Sequence, residues 1–122
     1  MNVVDSSCWL EYFGDTRVGN ELAAVIEDLG ELLVPVITIY EVFKKLLLEL
    51  DEDRAIFAVA HMKQGHVVEL DADLAVQAAR IGRDHGLTMT DSIIYATARR
   101  YDAVLYTQDR HFKEKESVRF FE

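Results

Sequence analysis

Four acidic residues of this chain each stand near the end of a short apolar stretch, where one structural element gives way to the next. They are Asp5, Glu41, Asp91 and Asp109. Most acidic residues of a folded protein lie on exposed surfaces, where water hydrates their charges. Because these four lie at the boundaries of elements instead, we expect the fold to bring them together.

A cluster of four carboxylates needs a compensating positive charge. Two like charges about 4 Å apart repel by roughly 4 kcal/mol at an effective dielectric constant near 20. Carboxylates without a histidine or cysteine partner favour a hard cation, Mg²⁺ or Mn²⁺, over Zn²⁺. One or two such ions promote phosphodiester hydrolysis by orienting and activating water and by stabilising the leaving oxygen. The four acids therefore predict metal-dependent phosphoryl chemistry.

Each acid also has a simpler structural explanation. Residues 38–41 match the capping box of a helix start, and residues 88–91 match its looser form. Asp5 is a candidate helix cap and Asp109 a candidate turn residue. Singly, these explanations are favoured, but caps have no reason to share one edge of a sheet. Capping and ligation are also compatible, because the positive end of a helix keeps a carboxylate ionised.

The composition bounds the protein class. The 122 residues suit one domain, residues 1–122, and half of them are hydrophobic, enough to form a core. Cys8 is the only cysteine, and no apolar run approaches the roughly 18 residues of a membrane span. The N-terminus shows no signal-peptide pattern. We expect a protein of the reducing cytoplasm that does not enter a membrane.

The hydrophobic periodicity predicts alternating strands and helices. Strands are predicted at residues 2–4, 32–34, 66–70, 103–106 and 118–121. Helices are predicted at residues 6–13, 21–29, 38–49, 52–64, from 71 or 73 to 84, and from 90 or 91 to 100. This order indicates an α/β fold with a mostly parallel central sheet of four or five strands, flanked by helices on both faces. Asp5 and Asp109 then follow strands at the carboxyl edge of the sheet, where such folds bind ligands.

Four motifs in order give the chain a family resemblance. They are residues 3–7 (VVDSS) followed by Trp9, residues 38–42 (TIYEV), residues 90–96 (TDSIIYA), and residues 105–109 (LYTQD) followed by His111 and Phe112. Together they cover essentially the whole chain. In this pattern the chain resembles PIN-domain ribonucleases, and in particular the VapC-type toxins of type II toxin-antitoxin modules.

The resemblance implies an endoribonuclease that hydrolyses RNA with metal-activated water and leaves 3′-hydroxyl and 5′-phosphate ends. It implies that the four acids are both catalytic residues and ligands of one or two Mg²⁺ or Mn²⁺ ions. Ser6 and Thr107 match supporting hydroxyl residues beside the first and last acids. The fourth acid varies in importance within this family, so the role of Asp109 is the least secure of the four.

The basic residues and apolar helix faces suggest partners. The net charge of -9 argues against a generic nucleic-acid binder, so any RNA contact must come from local clusters. The candidates are Lys44, Lys45, Arg110 and Lys113. The resemblance further implies a homodimer and a VapB-like antitoxin, which would lie on the apolar faces of helices 38–49 and 52–64 and direct a basic side chain at the acids. The four dispersed histidines are expected to be structural.

Three alternatives remain open at this point. The chain could be a PIN-domain nuclease of RNA processing that is not a toxin, or a catalytically silent PIN scaffold that binds RNA or protein. A phosphoacceptor receiver domain has a similar length and sheet, but it needs a lysine after a late strand, where this chain has Asp109. The receiver domain is therefore disfavoured.

Overall fold

The computed structural model describes residues 1–122 and contains one five-stranded parallel sheet. Its strands are β1 (Asn2–Val4), β2 (Leu32–Pro35), β3 (His66–Val68), β4 (Val104–Thr107) and β5 (Val118–Phe120). The strand order is β3-β2-β1-β4-β5, and every neighbouring pair is parallel. The predicted α/β class and the mostly parallel sheet are confirmed.

Six α-helices connect and cover the strands. They are α1 (Ser6–Phe13), α2 (Arg17–Ile26), α3 (Val36–Glu49), α4 (Glu52–Met62), α5 (Ala72–His85) and α6 (Met89–Arg100). Two short 3₁₀ turns, Leu29–Glu31 and Arg110–Phe112, precede β2 and follow β4. None of these helices is both long and apolar enough to cross a membrane.

The sheet separates two hydrophobic cores, because successive strand residues point to opposite faces. Val3 belongs to the core formed with α5 and α6, and Val4 to the core formed with α1 to α4. Both valines are completely buried. The strand β1 at the centre of the sheet is therefore held rigidly from both sides, and so is the residue that follows it.

Some predicted boundaries are wrong. Helix α3 begins at Val36, two residues earlier than predicted, and the Thr38 hydroxyl donates to the carbonyl of Pro35 over 2.7 Å. Thr38 therefore lies in the first turn and is not the cap of a capping box. Helix α2 spans Arg17–Ile26 instead of residues 21–29, because the hydroxyl of Thr16 caps it by accepting from the Gly19 amide. The strand predicted at residues 66–70 ends at Val68.

Candidate active site

The four acids lie at the carboxyl edge of the sheet, around the point where the strand order reverses. Asp5 directly follows β1, and Asp109 follows β4, the strand next to β1. From β1 the chain continues outward to β2 and β3, and only later returns to place β4 on the other side. Crevices at such switch points are the usual ligand sites of open parallel sheets.

Two helices bring the other acids to the same edge. Asp91 lies in the first turn of α6, whose cap is Thr88. Glu41 lies two residues deeper into its helix than predicted, because α3 begins at Val36. One cleft of about 360 Å³ has no hydrophobic residue in its lining. We call it the acid cleft, and its lining residues are Asp5, Ser7, Glu41, Asp91, Gln108 and Asp109.

Asp5 is the most enclosed of the acids, with 5% of its surface exposed. One carboxylate oxygen accepts from the Ser6 amide over 2.8 Å, and the other accepts from the Thr107 hydroxyl over 2.7 Å. Burial raises the pKa of Asp5 to about 6, although both hydrogen bonds lower it and the charges of Glu41 and Asp109 raise it further. Asp5 is therefore held in one orientation in a site that disfavours its negative charge.

Two hydroxyl groups connect the acids to one another. The Ser6 hydroxyl donates to the carboxylate of Glu41 over 2.6 Å, which ties the start of α1 to α3. The Thr107 hydroxyl donates to Asp5 and also accepts from the backbone amide of Asp109 over 3.0 Å. Ser6 and Thr107 thus lie where the sequence predicted supporting hydroxyls, each on a carboxylate of the cleft.

Asp91 and Asp109 form the outer side of the acid cleft. Burial raises the pKa of Asp91 to about 7, and the adjacent Asp109 raises it further through a hydrogen bond and through its charge. His111 adds a third group, because potential ligand atoms of Asp91, Asp109 and His111 all lie within 4.8 Å of one another. The imidazole Nδ1 lies 3.0 Å from Oδ1 of Asp109.

The donor set fits a divalent cation. Burial and the charges of neighbouring carboxylates raise the pKa of Asp5 to about 6 and that of Asp91 to about 7, so both groups tend to keep a proton. A bound cation would replace those protons and relieve the repulsion between the negative charges. Oxygen donors from four acids are the chemistry that hard divalent ions select.

The expectation that all four histidines are structural stays a prediction, but His111 differs from the others in its surroundings. His61 packs against Tyr12 and Phe13, and His85 packs against Tyr95, as structural residues do. His111 instead lies beside the outer acids, because the 3₁₀ turn after Asp109 returns its ring toward that carboxylate. Its spacing of two residues from Asp109 was the available signal.

None of the four basic residues predicted to contact RNA lines the acid cleft. The Lys45 ammonium pairs with Glu49 at 3.0 Å, and the Lys44 ammonium lies 5.8 Å from the centre of the Tyr40 ring. Arg110 and Lys113 both lie over the ring of Phe120. Arg110 directly follows Asp109 and is therefore the nearest of the four to the cleft along the chain.

Comparisons with known proteins place this geometry in a family. A toxin-antitoxin complex from Klebsiella pneumoniae shares the fold with a TM-score of 0.82 and 19% identity, and the match covers 98% of this chain and 96% of that chain. VapC20 from Mycobacterium tuberculosis, described as a sarcin-ricin loop cleaving toxin, has a TM-score of 0.80 and 22% identity, with 95% of each chain covered. DNA-bound VapBC from Salmonella typhimurium has a TM-score of 0.75 and 16% identity, with 98% of this chain and 96% of that chain covered. No curated protein matches the sequence. The family model of the PIN domain matches residues 3–117, and the chain therefore belongs to the PIN domain family.

Proposed function

We propose that this chain is an endoribonuclease dependent on Mg²⁺ or Mn²⁺ that acts as the toxin of a toxin-antitoxin pair. The observation that carries the proposal is the convergence of Asp5, Glu41, Asp91 and Asp109 on one cleft that has no hydrophobic residue in its lining. A PIN domain with this set of acids has the ligands that cation-dependent hydrolysis requires.

We assign Asp5, Glu41 and Asp91 to one cation, and Asp109 to a second cation or to the attacking water. When bound, such a cation neutralises the phosphate and makes water a better nucleophile. The chain itself supplies orientation. Ser6 and Thr107 fix the carboxylates of Glu41 and Asp5, and α6 holds Asp91 opposite them. Arg110, next to Asp109, is best placed to contact a phosphate of the bound strand.

RNA cleavage assays test the nuclease proposal. We expect cutting with Mg²⁺ or Mn²⁺, none with a chelator, and none by the Asp5→Asn variant. The fragments should carry 3′-hydroxyl and 5′-phosphate ends, because water rather than the RNA 2′-hydroxyl attacks phosphorus. Cyclic phosphate ends with full activity in chelator would disprove the mechanism.

An apolar groove supports the toxin assignment by offering a place for an antitoxin. The groove has a volume of about 630 Å³ and lies between the end of α1 and the turn that joins α3 to α4. We call it the apolar groove, and its lining residues are Leu10, Phe13, Gly14, Leu46, Glu49, Leu50, Asp53, Arg54, Phe57 and Ala58. Phe57 is 70% exposed, so a large aromatic surface is available to a partner.

The groove and the cleft lie at opposite ends of the same helices. Helix α1 leaves the cleft at Ser6 and reaches the groove at Phe13, a path of about 10 Å at 1.5 Å per residue. An antitoxin segment could therefore place apolar side chains in the groove and a basic side chain at the acids. The complex should then cut little RNA, and removal of the antitoxin should restore cleavage. Equal activity of the complex and the free chain would contradict this mode of inhibition.

We propose the part of the α3–α4 pair near the start of α3 and the end of α4 as the homodimer surface. A second, smaller apolar depression lies there, and Tyr40 and Ile56 are exposed within it. Sedimentation of the free chain should show a dimer that dissociates when Ile56 is replaced by Asp. A monomeric wild-type chain would contradict the assignment.

Cleavage and growth assays distinguish the proposed toxin from two alternative functions. A PIN nuclease of RNA processing would cut RNA in the same way, yet its expression would not arrest growth and no neighbouring gene would encode an inhibitor. A silent scaffold would bind RNA without cutting it at any cation concentration. Sequencing the 5′ ends of RNA fragments after expression would also identify the substrate.

A further inference from the structure

His111 places a nitrogen donor at a site that is otherwise made of carboxylates. It follows the fourth acid by two residues, in the 3₁₀ turn Arg110–Phe112. The side chain is 72% exposed at the rim, so a cation or water can reach the imidazole from solvent. Its potential ligand atom lies within 4.8 Å of those of Asp91 and Asp109, a separation that one cation can span.

Asp109 holds the ring of His111 through two contacts. The backbone amide of His111 donates to Oδ1 of Asp109 over 2.9 Å, and the ring nitrogen Nδ1 lies 3.0 Å from the same oxygen. When the ring proton resides on Nε2, Nδ1 keeps a free lone pair on the side that faces the Asp109 carboxylate. Two donor atoms 3.0 Å apart have the spacing of adjacent ligands of one cation, so a bound ion could contact both Nδ1 and Asp109.

The mixture of donors determines which cation the rim prefers. Mg²⁺ selects oxygen ligands and seldom binds imidazole, whereas Mn²⁺, although the weakest binder of its transition-metal series, tolerates an imidazole beside carboxylates better than Mg²⁺ does. Asp5 and Glu41 offer oxygen only. The two sides of the cleft therefore differ in chemistry, with oxygen donors inside and a nitrogen donor at the rim.

We propose that His111, together with Asp91 and Asp109, forms a mixed nitrogen and oxygen subsite at the rim of the acid cleft that binds Mn²⁺ in preference to Mg²⁺. The inference rests on the proposed function insofar as it assumes that the cleft binds a divalent cation. It adds one ligand, His111, to the four acids. It also predicts that this residue determines the preference for Mn²⁺ over Mg²⁺.

Calorimetric titration of the purified chain with MnCl₂ and with MgCl₂, without RNA, tests the preference. In His111→Ala the Mn²⁺ dissociation constant should rise by about tenfold, since loss of a metal-site partner typically weakens binding by 10 to 100 times. The Mg²⁺ constant should change by less than about twofold, because Mg²⁺ gains little from imidazole. His66→Ala is the matched control, since His66 is exposed at the start of β3, the opposite edge of the sheet.

Pulsed electron paramagnetic resonance of the Mn²⁺-loaded chain gives a readout that does not depend on activity. The wild type and His66→Ala should show coupling to an imidazole nitrogen, and His111→Ala should not. The substitution keeps the backbone amide that donates to Asp109, so the turn should keep its conformation.

The outcomes separate this inference from the proposed function. Mn²⁺ bound without nitrogen coupling in the wild type would overturn the role of His111 and leave the carboxylate-held cation intact. Equal weakening of Mn²⁺ and Mg²⁺ in His111→Ala would also overturn it, since that would show a general loss of the site. If neither cation binds the wild-type chain at millimolar concentration, both the inference and the proposed cation-dependent function fail.

Discussion

The acid cleft and the apolar groove occupy opposite ends of α1 and α3, and they differ in almost every physical property. The cleft is the smaller, has no hydrophobic residue in its lining, and contains two hydroxyl groups that donate hydrogen bonds to its carboxylates. The groove is lined mainly by hydrophobic residues and exposes the ring of Phe57. The acidic residues of the cleft thus lie toward the N-terminal ends of α1 and α3, and the apolar groove lies at the C-terminal ends of the same helices.

This division implies that chemistry and partner binding can be changed separately. A substitution at the beginning of the helices should alter cation binding and cleavage without altering the groove. A substitution at their ends should alter partner affinity without altering cleavage by the free chain. A groove variant that also alters cleavage by the free chain would show that the two ends communicate through the helices.

The largest expected effect is on cleavage by Asp91→Asn. Loss of a cation ligand should lower the cleavage rate by about 10² to 10³ times, the range found when a single electrostatic contact to the transition state is removed. Antitoxin affinity should fall much less than the cleavage rate, because only the contact with the basic side chain is weakened and the groove is unchanged. Single-turnover cleavage of a labelled RNA measures the loss.

Asp73→Asn is the matched control for that variant. Asp73 lies in the first turn of α5 as Asp91 lies in the first turn of α6, but it is exposed and outside the cleft. Its activity should match that of the wild type. A comparable loss in both variants would show that the first-turn charge acts on the helix and not on the chemistry.

The next effect is on the stability of the cation-free chain. The folded-state pKa of Asp5 is about 6 instead of 3.8, so the folded chain binds the proton more tightly than the unfolded chain does. The free energy of unfolding therefore decreases as the pH rises from 3.8 through 6. At 1.36 kcal/mol per pKa unit the loss is about 3 kcal/mol. Asp5→Asn should therefore be about as stable as the wild type near pH 4 and more stable by up to that amount at pH 8.

Denaturant unfolding in chelator at both pH values measures the difference. Addition of Mn²⁺ at pH 8 should stabilise the wild type much more than Asp5→Asn, because a cation compensates the buried charge only where that charge exists. Equal stability of the two chains at pH 8 in chelator would show that burial of Asp5 costs nothing.

Replacement of Phe57 by Asp should weaken antitoxin binding by about 30-fold, near 2 kcal/mol, the threshold for a hot-spot residue. The side chain is largely exposed, so the free chain should stay folded and active. Titration of the free chain with its cognate antitoxin measures the change. Val76→Asp, at an exposed apolar position on α5, should bind as the wild type does. Normal binding by Phe57→Asp would exclude the groove as the antitoxin site.

The convergence of the acids could be predicted from sequence because of one topological rule. Asp5 and Asp109 follow apolar strands, and the carboxyl ends of parallel strands share one edge. The prediction needed only the strand assignments, and these were correct to within a few residues. The apolar core was predictable for the same reason, since Val3 and Val4 alternate between two faces.

The details that involve distant pairs or tight turns could not be predicted. The capping-box pattern at residues 38–41 suggested that Glu41 folds back on its own helix, yet its carboxylate accepts from Ser6, 35 residues away. Because α3 begins at Val36, Glu41 lies beyond the first turn, and its carboxylate contacts Ser6 instead of the amides at the helix start. His111 reaches Asp109 only because the chain forms a 3₁₀ turn there, which hydrophobic periodicity does not reveal.

The smallest expected effect comes from Thr107, which connects the two sides of the cleft. Thr107→Val removes the hydroxyl that donates to Asp5 and accepts from the Asp109 amide, at a cost of about 1 kcal/mol in stability. The lost hydrogen bond normally lowers the pKa of Asp5, so that pKa should rise in the variant. The acidic limb of the pH profile for cleavage should then move to higher pH.

Thr107→Ser is the control, because it keeps the hydroxyl and loses only a methyl group. Its pH profile should match that of the wild type even if the missing methyl lowers stability. Such a result would assign the shift in the valine variant to the hydrogen bond and not to packing. An unshifted profile in Thr107→Val would show that burial and the neighbouring acids alone determine the pKa of Asp5. The hydrogen bond from the Thr107 hydroxyl would then have no role in the chemistry of the cleft.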